Sequence, residues 1–172
     1  MSVRQGLLAI LADGPAHGYG LKSAFEENTG GAWPLNVGQV YTTLSRLERD
    51  GLVRAEGTGE GPRQTWRITA TGRKALDEWY ASPIELDPPP RDELAIKVLL
   101  AVAAEDADVS GVLARQRTAT MERLQEYTRH KTKVDPEHEL ALVLLLDSLI
   151  LKAEAELRWI DLCEARLRER KG

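Results

Sequence analysis

Apolar side chains recur every three or four residues in three segments of the first 50 residues, a spacing that places them on one face of a helix. The first segment runs into Asp13-Gly14-Pro15, where glycine permits a turn and proline cannot continue a helix. We therefore predict a first helix that ends near Asp13, a second over 19–28 and a third over 37–50. Asn36 has the side chain of an N-cap for the third helix.

The third predicted helix has two chemically different faces. One face is apolar, and the other carries the hydrogen-bonding side chains of Gln39, Thr42, Thr43 and Arg46. Such a helix can pack on its own domain through the first face and offer donors, acceptors and positive charge to a DNA groove through the second.

Two short strands are predicted after this helix. Residues 52–56 and 64–69 are rich in residues typical of strands, and they flank a glycine-rich stretch over 57–62. Three helices followed by a two-stranded wing form a winged helix-turn-helix. A further helix is expected over 72–80, with Thr71 as its cap.

The second half of the chain is predicted to be helical and separate. Residues 81–90 contain Asp87 followed by three prolines, which cannot propagate a helix and stiffen the connection. We predict a mainly α fold with a winged helix-turn-helix domain over 1–80, a linker over 81–90 and a helical dimerisation domain over 91–172.

The last predicted helix, over 137–170, carries two apolar heptad series. A seam of this kind requires a partner helix, and the further apolar positions around it favour a second subunit. The alternative is a bundle within one chain. The predicted homodimer interface consists of Val143, Leu146, Ile150, Leu157 and Ile160.

The charge distribution is compatible with DNA as a partner once the net charge of −4 is divided along the chain. Residues 1–80 carry 9 basic and 9 acidic side chains, and residues 33–74 carry 7 basic against 4 acidic. A local positive surplus attracts phosphate, because salt screens more distant charges. The alternative is that these arginines simply solvate a surface.

Composition and motifs exclude several other classes of protein. No stretch is apolar enough to span a membrane and no signal-peptide core begins the chain, so we expect a cytoplasmic protein. The single cysteine, Cys163, is expected to fill a core rather than sense redox state. His130 and His138 lack a third metal ligand nearby, and phosphate-binding and catalytic motifs are missing, so we expect no metal, no cofactor and no enzyme.

Three motifs are spread over the first 80 positions: His17-Gly18-Tyr19, the stretch 40–53, and Gly61-Pro62-Arg63 leading into 66–69 with Gly72. Together they resemble the PadR family of bacterial transcription regulators. The family often has proline where Thr42 stands and lysine where Gln64 stands. It usually has a tyrosine at the position of Tyr41, whose hydroxyl is either a phosphate ligand or part of the core.

We therefore predict a homodimeric, sequence-specific DNA-binding regulator that recognises a palindromic operator in double-stranded DNA. Repression, and release by a small-molecule effector, are implied by the resemblance. The alternative function is a winged-helix adaptor that binds proteins and not DNA. The predicted DNA-binding residues are Gln39, Tyr41, Thr42, Thr43, Arg46, Arg63, Gln64 and Arg67, and the candidate effector-binding residues are Trp79, Tyr80 and Trp159.

Overall fold

The computed structural model describes residues 2–56, 64–84, 90–104 and 106–170. The chain divides into two compact units, residues 1–85 and 86–172, which we call the N-terminal unit and the C-terminal unit. Within the described ranges, seven helices and three short strands are present, which confirms the mainly helical fold. No helix in these ranges is both long enough and apolar enough to cross a bilayer.

The N-terminal unit has the predicted winged helix-turn-helix order, with one additional strand. Three helices precede the wing strands, and a fourth helix follows them. The elements are α1 (Ser2–Asp13), β1 (Ala16–His17), α2 (Gly18–Asn28), α3 (Val37–Arg49), β2 (Val53–Glu56), β3 (Thr65–Ile68) and α4 (Ala70–Ala81).

The sheet has three antiparallel strands in the order β1-β3-β2: the predicted two-stranded wing, formed by β2 and β3, and one strand that was not predicted, β1. Ala16 pairs with Trp66, and this short strand closes the open edge of β3. On the other side, Val53 pairs with Ile68, and both side chains are buried. The neighbouring pair, Arg54 and Arg67, therefore projects from the opposite face of the sheet.

One hydrophobic core holds the helices and the sheet of this unit together. Its buried members include the three leucines of α1 and one apolar stripe from each of α2 and α3, together with residues of the wing strands and α4. The core comprises Leu7, Leu8, Leu11, Leu21, Phe25, Leu35, Val40, Leu44, Leu47, Leu52, Val53, Trp66, Ile68 and Leu76.

Polar caps define where the helices begin. Asn36 accepts a hydrogen bond from the Gly38 amide, as predicted for α3. The predicted cap of α4 was wrong, because Thr69 and not Thr71 accepts from the Gly72 amide. Helix α4 consequently begins at Ala70, directly after β3.

The C-terminal unit consists of α5 (Glu93–Ala103), α6 (Val109–Lys131) and α7 (Leu140–Glu169). Lys131 at the end of α6 pairs with Asp147 near the start of α7, whereas Arg117 pairs with Asp161 further along. The pairs run in opposite order along the two helices, so α6 and α7 are antiparallel.

One face of α7 that was predicted to bind a second subunit packs within the chain instead. Leu146 and Ile160 were predicted to lie in the dimer interface, but they are only 3% and 0% exposed in the single chain. Ile160 packs with Val98 of α5 and Leu113 of α6. The alternative of packing within one chain therefore holds for this face. The other three predicted interface residues, Val143, Ile150 and Leu157, are half-buried.

Candidate nucleic-acid interface

Helix α3 presents a polar face to solvent because its apolar face is fully used by the core. Val40, Leu44 and Leu47 are buried. Gln39, Thr42 and Arg46 are exposed on the other side, and Thr43 is half-buried beside them. The structure thus brings together the side chains that were predicted to read bases.

Hydrogen bonds within α3 fix what the two threonines can offer. The Thr42 hydroxyl donates to the carbonyl of Gly38 at 2.8 Å, and the Thr43 hydroxyl donates to the carbonyl of Gln39 at 2.7 Å. The hydroxyl protons are used inside the helix. The oxygens keep acceptor capacity, and the methyl groups are available for apolar contact with a thymine methyl.

Arg46 differs from its arginine neighbours in its electrostatic surroundings. Asp50 pairs with Arg4 at 2.7 Å and with Arg49 at 3.4 Å, and Arg4 first and then Arg49 hold the pKa of its carboxyl below the usual value. Among the described residues Arg46 forms no ion pair. Its charge is therefore available to an incoming ligand.

Tyr41 is part of the packing between α2 and α3. A methyl group added to Gly18 would lie 2.6 Å from Cζ of the Tyr41 ring, so the ring rests directly on the backbone at the start of α2. The side chain is half-buried against the core of the N-terminal unit. This position favours the core interpretation of the ring.

The described part of the wing is less basic than the sequence suggests. Arg67 is paired with Glu56 at 2.8 Å. The amide of Gln64 donates to the carbonyl of Thr65 at 2.8 Å, which commits it to the wing backbone. Arg63 lies outside the described residues.

Arg54 is a candidate phosphate contact that was missed at the level of sequence. It is exposed on β2 and is the register partner of Arg67, and it has no ion pair within the described ranges. The alternation of β2 gives the signal for it, since Val53 is buried and the next side chain must point outward.

Glu26 is a second missed residue, and it anchors the turn that leads into α3. One carboxylate oxygen accepts from the Leu35 amide at 2.9 Å, and the other pairs with Lys22 at 2.8 Å. Lys22 first and then the Leu35 amide lower the pKa of Glu26. Because Leu35 precedes the Asn36 cap, the carboxylate helps to fix where α3 begins.

The lowered pKa of Glu26 predicts a pH-dependent stability of the N-terminal unit. A carboxyl with a depressed pKa stabilises the folded state above its ordinary value of about 4.5, and this contribution disappears as the pH falls through the folded-state pKa. Glu26→Gln should therefore melt at a lower temperature than wild type at pH 7, and the difference should shrink as the pH falls below about 4.5 and through the folded-state pKa. Thermal unfolding across this range tests the prediction.

The neighbouring Glu27→Gln variant serves as the control, because Glu27 is exposed and has no ion pair among the described residues. It should follow the wild-type curve at every pH. A gap between Glu26→Gln and wild type that stays constant from pH 3 to 7 would contradict the assignment.

The candidate effector-binding residues lie in different units. Trp79 and Tyr80 are exposed on the last turn of α4, with ring centroids 4.9 Å apart. Trp159 packs beside the core of the C-terminal unit. Cys163 packs at the same core, where burial raises the pKa of its thiol and disfavours the reactive thiolate. Within the described ranges, no cluster of metal-ligand side chains is present.

Comparisons with known proteins match both halves of the chain. Residues 7–78 match the model of the transcriptional regulator PadR-like family, and residues 90–168 match the model of the virulence activator alpha C-terminal region. A probable transcriptional regulator of Mycobacterium tuberculosis is 24% identical over 99% of this chain and 100% of its own length. The negative transcriptional regulator PadR of Bacillus subtilis is 23% identical over 78% of each chain.

Solved structures share the fold over nearly the whole length. Bacillus subtilis PadR in complex with operator DNA superposes with a TM-score of 0.69, at 18% identity, over 96% of this chain and 97% of that one. The same protein in complex with p-coumaric acid gives a TM-score of 0.75, at 17% identity, over 98% and 99%. The Vibrio cholerae virulence activator AphA gives 0.66, at 24% identity, over 98% and 99%.

Proposed function

Because the chain belongs to the PadR family of transcriptional regulators, we propose that it binds an operator in double-stranded DNA as a homodimer and represses transcription. The observation that carries the proposal is the exposed face of α3, where Gln39 and Thr42 lie beside Arg46, which forms no ion pair within the described part of the chain. DNA as the ligand implies a cytoplasmic location. No step of this function requires a catalytic group.

The reading helix contacts bases through its first two turns in this proposal. Gln39 pairs with adenine through its amide, and Thr42 and Thr43 meet a thymine methyl or accept from a base amino group. Arg46 reaches guanine or a nearby phosphate. Arg54 and Arg67 of the wing, with Arg63, lie along the phosphate backbone, while Tyr41 and Gln64 hold the elements in place.

Dimerisation through α7 is supported by the exposed leucines on one of its faces. Leu140, Leu144, Leu151 and Leu162 are each about 60% exposed, and their spacings of four, seven and eleven residues place them in one stripe. This stripe lies opposite the buried Leu146, Ala153 and Ile160. We propose that a second copy covers it, with Val143, Ile150 and Leu157 at its edge.

A dimer explains how a small reading unit reaches useful specificity. Two N-terminal units related by a twofold axis read half-sites separated by one turn of the duplex, roughly 34 Å, or by a multiple of it. The operator is therefore palindromic. Occupation of such a site at a promoter excludes polymerase, and the Bacillus relative carries the name of a negative regulator.

A small-molecule effector that releases the DNA completes the proposal. The support is that the Bacillus relative was solved both with operator DNA and with p-coumaric acid. Release requires that the effector bind the DNA-free arrangement more tightly than the DNA-bound one. The rival function is a protein-binding adaptor, which would show no salt-dependent affinity for DNA.

Arg46→Ala is expected to weaken binding to a selected genomic fragment by about 1–3 kcal/mol, roughly 5- to 150-fold. If Arg46 contacts guanine, its substitution should change the affinity for random duplex far less, because a base contact contributes only at the specific site. Band-shift titrations at several salt concentrations measure both affinities.

Arg49→Ala is the matched control, since it removes the same charge from α3 but Arg49 is already paired with Asp50. It should leave the ratio of specific to random affinity unchanged. An equal loss on every sequence for Arg46→Ala would assign Arg46 to phosphate, and the absence of specific binding by the unsubstituted chain would favour the adaptor.

A further inference from the structure

A cavity of about 570 Å³ lies within the N-terminal unit, beside the start of α3. Its walls come from α1, the end of α2, the turn into α3 and the last turn of α4. The large apolar side chains among its lining residues are those of Phe25, Trp33, Leu35 and Trp79. This volume is in the range of cavities that hold small organic ligands.

The two tryptophans of this cavity are unusually exposed. Trp33 is 53% exposed and Trp79 is 40% exposed, although both line the same cavity. Indole rings at a cavity wall provide flat apolar surface for a stacked aromatic ring. Exposure of this aromatic surface to water is unfavourable, and a flat ligand would cover it.

The polar groups of the cavity restrict the charge of the ligand. None of the described residues that line it is ionisable, so a bound carboxylate or sulfonate would find no counter-charge among them. The Thr29 hydroxyl already donates to the carbonyl of Phe25 at 2.7 Å. The side-chain amide of Gln39 has no hydrogen bond among the described residues, so it can meet a ligand, as can the indole N–H groups of Trp33 and Trp79.

Gln39 connects this cavity to the DNA-reading face. It lines the cavity, and it is also one of the side chains proposed to read a base. A single amide cannot serve both partners at once. The turn that forms the adjoining wall contains Gly30 and Gly31, both with positive φ, and is tied to α2 through Glu26 and Leu35.

We propose that this cavity binds an uncharged, planar aromatic molecule, which stacks on Trp33 and Trp79 and takes the Gln39 amide away from DNA. The regulatory half of this inference rests on the proposed function. The binding half does not, because it concerns the cavity alone.

Two fluorescent probes that share one ring system test the binding half without DNA. The neutral N-phenyl-1-naphthylamine should bind one molecule per chain and quench tryptophan emission. The anionic 8-anilino-1-naphthalenesulfonate should bind at least about tenfold more weakly, because its sulfonate loses part of its hydration and gains no counter-charge from the lining. Trp33→Leu and Trp79→Leu should each weaken the neutral probe about fivefold or more.

Tyr19→Leu is the control, since Tyr19 is an equally exposed aromatic residue of the same unit that does not line the cavity. It should leave the affinity of the neutral probe unchanged. Circular dichroism melts check that all three variants are folded. The cavity proposal is overturned if the neutral probe does not bind, or if the sulfonate binds equally well. It is also overturned if neither tryptophan substitution changes the affinity of the neutral probe.

The regulatory half is tested on a selected genomic duplex. Saturating neutral probe should raise the dissociation constant for DNA about three- to tenfold, and the effect should vanish in Gln39→Ala. A probe that binds the cavity but leaves DNA affinity unchanged overturns the regulatory half only. A chain that binds the probe but no specific DNA overturns the proposed function and leaves the cavity assignment intact.

Discussion

Gly72→Ala should unfold much of the N-terminal unit at temperatures where the unsubstituted chain is folded. A methyl group at position 72 would lie 2.1 Å from the backbone oxygen of Leu52 and 2.8 Å from Cγ1 of Ile68. The backbone oxygen cannot rotate away, because it also accepts hydrogen bonds from Thr69. The joint between β2, β3 and α4 would therefore have to open.

We expect a loss of about 3 kcal/mol or more, which lowers the melting temperature of a domain of this size by roughly 12 °C or more. Gly14→Ala is the matched control, since no atom lies within 4 Å of its added methyl group. Differential scanning calorimetry measures both variants. If Gly72→Ala had the same melting temperature as Gly14→Ala, the close approach of α4 to Leu52 would be contradicted.

The double substitution Leu144→Glu and Leu151→Glu should convert the proposed dimer into a monomer. Both leucines are exposed in the single chain, so the substitutions leave the core of the C-terminal unit intact. In a dimer they would bury unpaired carboxylates at the centre of the interface. The dimer dissociation constant should rise by more than about 100-fold, and operator affinity should fall with it.

Lys152→Glu is the control for this experiment, because Lys152 is exposed on α7 beside the leucine stripe and not on it. It changes the charge by more than either leucine substitution does. Sedimentation velocity should find this variant dimeric and the double variant monomeric. A double variant that remains dimeric would move the interface away from the leucine stripe.

The periodic part of the fold could be predicted from the sequence. The apolar stripe of α3 has three members at helical spacing, and the helix begins and ends within one residue of the prediction. Its polar face follows from the same spacing, so the candidate reading residues were found before the structure. Strand β1 has only two residues and no period, and it exists because β3 offers an open edge.

Features that depend on a distant neighbour could not be predicted. The heptads of α7 indicate two apolar stripes, but they do not say which stripe α5 and α6 cover, so Leu146 and Ile160 were assigned to the wrong surface. The pairing of Arg67 with Glu56 depends on strand register. The bond from the Leu35 amide to Glu26 spans a turn whose path is set by glycines with positive φ.

We propose above all that two N-terminal units act together on one operator. The composition of the protein–DNA complex tests this most directly. Sedimentation of the chain with a selected duplex, combined with hydroxyl-radical footprinting, gives the number of chains and the protected bases. We predict two chains per duplex and two protected half-sites about 10 base pairs, or a multiple, apart. One chain on a single protected segment, or no protected segment at all, would contradict the account.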